Sequence, residues 1–457
     1  MSHDLEVVPI DTPSLGDRSY LVHDGEVAFV VDPQRDIDRV LDLLDEHGVR
    51  LSDVFETHLH NDYLTGGLAL AARTGATYHV NAADRVAYQR HPISDGDTVE
   101  VGPRMRLAVL ATPGHTFTHL SYALTDAATG RWVAVFTGGS LLYGATGRPD
   151  LLGPESTGAL VRHQHASAHR LAALLPEDAE LFPTHGFGSF CSATQSEAVA
   201  STIGDELRTN PVLTQDEETY VRELLAGLDA WPAYYAHMGP GNAAGPGEPD
   251  LSTPEPADAH EIRRRIDAGE WVVDLRHRTA FAAGHAPGSF NIGAEEQFAT
   301  YVGWLVPWGT PLTLLGATPQ DVAWAQRELV RIGIDRPAAH ATGHPEDWTH
   351  GPLGSFPTAT FADLAQVRHH RHVVVLDVRR EQERAERAIE GSLGIPVHEV
   401  LDRLDEVPGG EIWVHCAAGY RASIVASLLA ARGHRVVAVD DEFERAATAG
   451  LGLVTAA

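Results

Sequence analysis

Ile412-Trp413-Val414-His415-Cys416-Ala417-Ala418-Gly419-Tyr420-Arg421-Ala422 decides how the last part of this chain folds. Ile412, Trp413 and Val414 are apolar residues suited to a strand. The Ala/Leu-rich run from Ala422 to Arg432 suits a helix. Between them stand a histidine, one cysteine, three small residues, a tyrosine and an arginine. A strand that feeds a tight loop and then a helix turns backbone N–H groups, and the positive helix end, toward an enclosed anion. A thiol in such surroundings ionises more readily and becomes nucleophilic. Cys416 and Arg421 are the expected catalytic residues, and Ala417, Ala418, Gly419 and Tyr420 the loop that cradles a sulfur anion. The bland alternative is an inert, buried cysteine in a strand–turn–helix unit.

Outward from this loop the chain repeats itself. Val272-Val273-Asp274-Leu275-Arg276 returns 103 residues later as Val375-Leu376-Asp377-Val378-Arg379. Gly288-Ser289 and Ile292 return as Gly391-Ser392 and Ile395, and at an offset of 100 Gly333 answers Gly433. Each copy begins with a helix, enters an apolar strand ending in Asp-x-Arg, and then alternates helices and strands. That pattern predicts a parallel, doubly wound α/β domain, present twice. At the offset of 100, Cys416 corresponds to Gly316, within Leu314-Leu315-Gly316-Ala317-Thr318-Pro319. The first copy has neither the Cys nor the Arg, so it is expected to be silent, a structural or docking copy. The Gly/Pro-rich run Gly239–Gly247, continuing to Pro256, predicts one domain boundary, and Gly351–Pro357 a second. The expected domains are 1–238, 258–350 and 358–457.

Composition narrows the function. A chain of 457 residues suggests about three domains. A net charge of −29 disfavours nucleic acid and anionic membranes as partners. No apolar run is long enough for a membrane-spanning helix. The acidic start, Met1 to Asp11, lacks a basic-then-apolar signal. Two cysteines, 225 residues apart, make no disulfide framework, and free thiols point to a cytoplasmic protein.

The N-terminal half opens with short strands at Leu5–Val8, Ser19–Val22 and Val27–Val31, the last ended by Asp32. Ile37, Val40, Leu41 and Leu44 share one face of a predicted helix over Asp36–His47. Another strand, Ser52–Glu56, runs into Thr57-His58-Leu59-His60-Asn61-Asp62-Tyr63-Leu64-Thr65-Gly66-Gly67. Two histidines one residue apart, with an aspartate two further on, can converge from a tight loop onto a metal. Thr112-Pro113-Gly114-His115-Thr116, Phe136-Thr137-Gly138-Gly139-Ser140-Leu141 and Pro183-Thr184-His185-Gly186 follow in order. Six residues past His185 stands Cys191, either a thiol close to the substrate or simply a small buried residue.

In this order the N-terminal elements resemble the metallo-β-lactamase superfamily, which implies a four-layer αββα sandwich with metal at its rim. The Cys416 loop resembles that of the rhodaneses, as does the turn Gly284-His285-Ala286-Pro287-Gly288. A cysteine-dependent phosphatase would carry its arginine at position 422, which is Ala. The implied fold is α/β and multi-domain: a metallo-β-lactamase sandwich followed by two rhodanese-like, doubly wound domains. Mapped onto the superfamily's metal motifs, His58, His60, Asp62, His115 and His185 stand in place. Position 63 is Tyr where the two-metal hydrolases have His, and position 139 is Gly where they have a bridging Asp. His58, His60 and His115 suit a single metal, with Zn(II) acceptable to three nitrogens. The superfamily's persulfide dioxygenases use Fe(II), held by two His and one carboxylate, which maps to His58, His115 and position 139. Asp62, Asp150 or water is the expected substitute for the missing carboxylate, with His185 a further candidate.

As a whole the chain resembles persulfide dioxygenase–sulfurtransferase fusions. The resemblance implies that Cys416 carries sulfane sulfur between thiosulfate and a low-molecular-weight thiol or persulfide. It implies that the metal domain, with Fe(II) favoured, oxidises the persulfide to sulfite with O2. Self-association is compatible with it. Two alternatives stay open: a glyoxalase II-like hydrolase fused to a sulfurtransferase, and a sulfur-relay protein whose metallo-β-lactamase domain is silent.

Overall fold

In the computed structural model, residues 5–194, 196, 198–295 and 297–455 are described. Residues 1–4 of the acidic start lie outside them. Strand periodicity explains the layers of the N-terminal unit. In strands Asp17–His23 and Val27–Val31, Tyr20, Val22, Phe29 and Val31 face one cluster, whereas Leu21, Ala28 and Val30 face another. Side chains alternate across a strand, so strands apolar at every position bury both faces. The first set meets Leu107, Val109, Tyr122, Leu124 and Phe136 of a second sheet. The other set meets Val40, Leu44 and Leu70 of helices Asp38–His47 and Gly67–Thr74. On the far side Ala123 and Val135 pack against helix Pro154–Leu174 through Val161, Ala168 and Leu171. Helix, sheet, sheet and helix therefore form four layers.

The first sheet has six strands in sequence order, from Glu6–Thr12 to His91–Ile93. The second has five, ordered Glu180–Pro183, Arg131–Gly138, Leu120–Asp126, Met105–Ala111 and Thr98–Val101. The loops that leave Arg50–Phe55, Met105–Ala111, Arg131–Gly138 and Glu180–Pro183 carry His58/His60, His115, Gly139 and His185.

Residues 1–250 with 329–334 make the first unit, and 251–328 with 335–457 the second. The expected linker starts later than Gly239, and the unit boundary at 250/251 falls within its continuation to Pro256. Tyr235–Ala244 is a helix with Pro240 inside it, and the first unit continues to Asp250 rather than ending at 238. The cause is Asn242, which is fully buried. Its amide donates to the carbonyls of His60 and Tyr63, both at 2.8 Å, and accepts the Thr65 N–H at 2.9 Å. These loop groups would otherwise be buried without partners.

The second unit holds two five-stranded sheets with one strand order. The first is Glu255–Pro256, Ala339–Thr342, Leu312–Gly316, Trp271–Asp274, Phe290–Asn291. The other is Thr358–Ala359, Arg435–Val439, Glu411–His415, Val374–Asp377, Leu393–Gly394. All their pairings are parallel. Trp271 pairs with Leu312 as Val374 pairs with Ile412, so both sequence offsets reappear in the strand register. The Asp-x-Arg ending is a structural clamp. Arg276 folds back onto Asp274 and reaches the Gly284 carbonyl, and Arg379 does the same with Asp377 and Arg387. Among the described residues no helix is long and apolar enough to cross a membrane.

Candidate metal centre and thiol loop

The metal-motif loops converge on a buried histidine cluster. His58, His60, His115, His119 and His185 are all at most 1% exposed. Three rings are anchored through Nδ1. His58 Nδ1 lies 2.8 Å from the Thr57 hydroxyl, His115 Nδ1 2.8 Å from the Arg148 carbonyl, and His185 Nδ1 2.8 Å from Asp17. Such anchoring fixes the tautomer and leaves Nε2 for a metal. His58 Nε2 and His185 Nε2 stand 3.5 Å apart, and His115 Nε2 has no hydrogen-bond partner. His60 is turned the other way. Its Nε2 lies 3.0 Å from the Tyr63 hydroxyl, 3.3 Å from Asp32 and 3.4 Å from Glu56.

Ligand atoms within 4.8 Å of one another form two relevant trios, His58/His60/His185 and His115/His185/Cys191. The expected trio of His58, His60 and His115 is thus divided: His115 groups with His185 and Cys191. Asp62 belongs to a separate group with Asp17 and His185, and lies 3.1 Å from His185 Nδ1. Asp150 stands in neither trio, and both its oxygens accept from the Arg148 guanidinium, at 2.7 and 2.8 Å. Gly139 has no room for one either: a Cβ there would fall on the His115 ring. His119 is not available, since its Nδ1 meets the Thr112 hydroxyl and its Nε2 accepts from the Gly139 N–H. Histidine donors with anchored Nδ1 atoms, one of them orphaned at Nε2, fit a single transition-metal ion.

Charges divide the cluster. Burial and the neighbouring imidazoles keep His58 well below its ordinary value, and burial with His185 brings His115 down to about 3, so both rings are neutral. Burial opposes charge on His60 too, but Asp32 and Glu56 outweigh it and hold that ring up at about 9. Burial likewise opposes charge on His185, and Asp62 with Asp17 raises it to about 10. Burial and the Asp62 charge push Asp17 up to about 7, while His185 overcomes burial to hold Asp62 low.

Asp17 and Asp32, which no motif in the sequence marks, brace the histidine loops. Asp32 accepts from the Thr57 N–H at 2.7 Å and the Thr57 hydroxyl at 2.8 Å, and from the Thr184 hydroxyl at 2.5 Å. It ties together the loops that carry His58 and His185. Its φ of +52° is unusual for a non-glycine residue and stores local strain at this junction. A cavity of about 460 Å³ opens beside the cluster, lined in part by Leu59, Asn61, Thr116, Phe117, Trp231 and Tyr235.

The thiol loop joins strand Glu411–His415 to helix Tyr420–Ala430. Cys416 is 2% exposed, and its Sγ accepts the Gly419 N–H at 3.1 Å. Gly419 has φ of +96°, and a Cβ there would strike Asp440 and Arg278. Arg421 donates twice to Glu383, at 2.5 and 2.8 Å, so this arginine is braced by a carboxylate. The Tyr420 hydroxyl donates to the Gly293 carbonyl at 3.0 Å. The first copy thus reaches the loop. Arg278 donates to Asp440, to Glu295 and to the Ala418 carbonyl. Asn291 bonds Ser423 and Ser427 on the helix.

Comparison with known proteins agrees with both halves. Residues 360–447 match the family model of the rhodanese-like domain. A hydroxyacylglutathione hydrolase of Synechococcus sp. (strain JA-3-3Ab) is 33% identical over 230 residues, covering 46% of this chain and 88% of that protein. The mitochondrial persulfide dioxygenase ETHE1 of Homo sapiens is 31% identical over 208 residues, covering 45% of this chain and 74% of that one. The crystal structure of a metallo-β-lactamase from Staphylococcus aureus subsp. aureus COL superposes with a TM-score of 0.66 at 27% identity. The match covers 74% of this chain and 99% of that one.

Proposed function

This chain belongs to the metallo-β-lactamase-fold family that includes hydroxyacylglutathione hydrolases and persulfide dioxygenases, it carries a rhodanese-like domain, and from that premise we propose that it is an enzyme of sulfane-sulfur metabolism. The observation that carries the reading is the Gly419 N–H set on Cys416 Sγ, at the start of a helix. The Cys416 thiolate attacks the outer sulfur of thiosulfate. The S–S bond of thiosulfate breaks, sulfite leaves with the electron pair, and a persulfide remains on Cys416. A small thiolate then takes that sulfur, giving a small persulfide and free Cys416. The loop N–H stabilises the sulfur anion. Arg421, steadied by Glu383, supplies positive charge beside it.

The small persulfide is then oxidised in the N-terminal domain. Persulfide, O2 and water give thiol, sulfite and protons. A transition metal, Fe(II) by preference, would supply neighbouring open positions for this chemistry. The chain's own part is to orient the rings: the Arg148 carbonyl holds His115 and Asp17 holds His185 toward the ion, and Thr57 holds His58 beside them. The adjoining cavity, with apolar walls at Phe117 and Trp231, admits a small thiol's body. Two free cysteines suit a cytoplasmic setting.

A second reading, metal-dependent thioester hydrolysis, draws on the 33% identity to a hydroxyacylglutathione hydrolase. It is the weaker one, because Tyr63 and Gly139 occupy the places of a second metal's ligands. An oxygen electrode decides between them. Persulfide oxidation consumes O2 only when a small persulfide is supplied to the metal-loaded protein; hydrolysis turns over a glutathione thioester with no O2 uptake.

A further inference from the structure

The family's carboxylate ligand has no successor at the end of strand Arg131–Gly138. Gly139 cannot carry one, because the His115 ring fills the space a side chain would need, and Asp150 is spent on Arg148. Yet His115 Nε2 is fully buried with no hydrogen-bond partner, a costly condition unless something binds there.

One side chain of the right chemistry stands beside it. Cys191 is fully buried, and its sulfur lies within 4.8 Å of the ligand nitrogens of His115 and His185. We propose that Cys191 is the third protein ligand of a single divalent transition-metal ion, with His115 and His185 as the other two. The backbone holds these residues in register. The Arg148 carbonyl accepts from His115 Nδ1, and the N–H of the same residue donates to the Cys191 carbonyl, both at 2.8 Å. The Cys191 N–H is held in turn by the Ser189 hydroxyl at 3.2 Å. The carboxylate of Asp17 on His185 Nδ1 completes the outer support that metal-bound imidazoles usually have.

Two imidazoles and a thiolate make a borderline-soft donor set, suited to Zn(II) or Fe(II) and poorly suited to Mg(II) or Ca(II). Binding releases the thiol proton of Cys191 and the second ring proton of His185 to solvent. Three protein ligands would leave such an ion a position for a sulfur-bearing ligand. The inference rests on the metal-dependent reading of the N-terminal domain.

The test uses the full-length Cys416→Ser protein, in which Cys191 is the one remaining cysteine. Zinc-loaded protein is measured by X-ray absorption at the zinc edge, and cobalt-loaded protein by near-ultraviolet absorption. The expected results are one sulfur at about 2.3 Å from zinc and a thiolate-to-cobalt band. Adding Cys191→Ser removes both and weakens metal binding by at least about 10-fold. A shell of nitrogen and oxygen alone, around one tightly bound ion, overturns the Cys191 assignment and leaves the metal-dependent reading standing. Failure to bind either ion overturns both.

Discussion

Cys416 and Arg421 show how much chemistry one short loop can hold. Cys416→Ser is expected to reduce thiosulfate sulfur transfer to background, while O2 uptake with a supplied small persulfide persists. Loss of both in this variant contradicts the division of labour between the two sites. Glu383 braces Arg421, and that cation overcomes burial to hold the carboxyl at about 2 against an ordinary 4.5. A depressed value means that its stabilisation is complete above the ordinary value and is lost as pH falls from 4.5 toward about 2. Glu383→Gln is therefore expected to cost about 1–3 kcal/mol at neutral pH. The gap from wild type in denaturant unfolding should close across that acid window; a gap independent of pH contradicts the pairing. Gly139→Asp should not create a metal ligand. The new Cβ meets the His115 ring, so a loss of about 1–3 kcal/mol without increased metal affinity is expected.

At the scale of elements, the strand ends and the loops they feed do the positioning. Asp32, at the end of Val27–Val31, pins Thr57 and Thr184. Asp32→Ala leaves several buried donors, and His60, without their acceptor. It is expected to lower unfolding free energy by about 3–5 kcal/mol and to reduce metal occupancy, measured by denaturant melts and metal analysis. Arg278 is the corresponding brace on the thiol loop. Arg278→Ala should slow sulfur transfer by about 10-fold while Cys416 still accepts sulfur; an unchanged rate would reduce Arg278 to surface packing. These elements also mark what was legible in the sequence. The short apolar strands and the Cys416 loop are local patterns, and the 103-residue repeat is a direct match of sequence to sequence, so all three could be read directly. Asp17 and Asp32 each bond a partner more than 150 residues away, His185 and Thr184, and no local pattern carries that information. The first part of the predicted linker, Gly239–Ala244, misled because Gly and Pro report backbone freedom, whereas Asn242 reports a packed helix only once His60 and Tyr63 are beside it.

At the scale of the whole molecule, one chain carries a buried histidine cluster and a buried thiol loop in separate units, and the proposed sulfur chemistry joins their roles. Stripping metal with a chelator should abolish persulfide-dependent O2 uptake and leave thiosulfate sulfur transfer unchanged. The most direct measurement is the intact mass of the full-length protein after exposure to thiosulfate. The wild type should gain the mass of one sulfur atom, located to Cys416 by fragmentation, and return to its starting mass when a small thiol is added. Cys416→Ser should gain nothing. A wild type that takes up no sulfur, or a Cys416→Ser protein that takes up as much, would contradict the account.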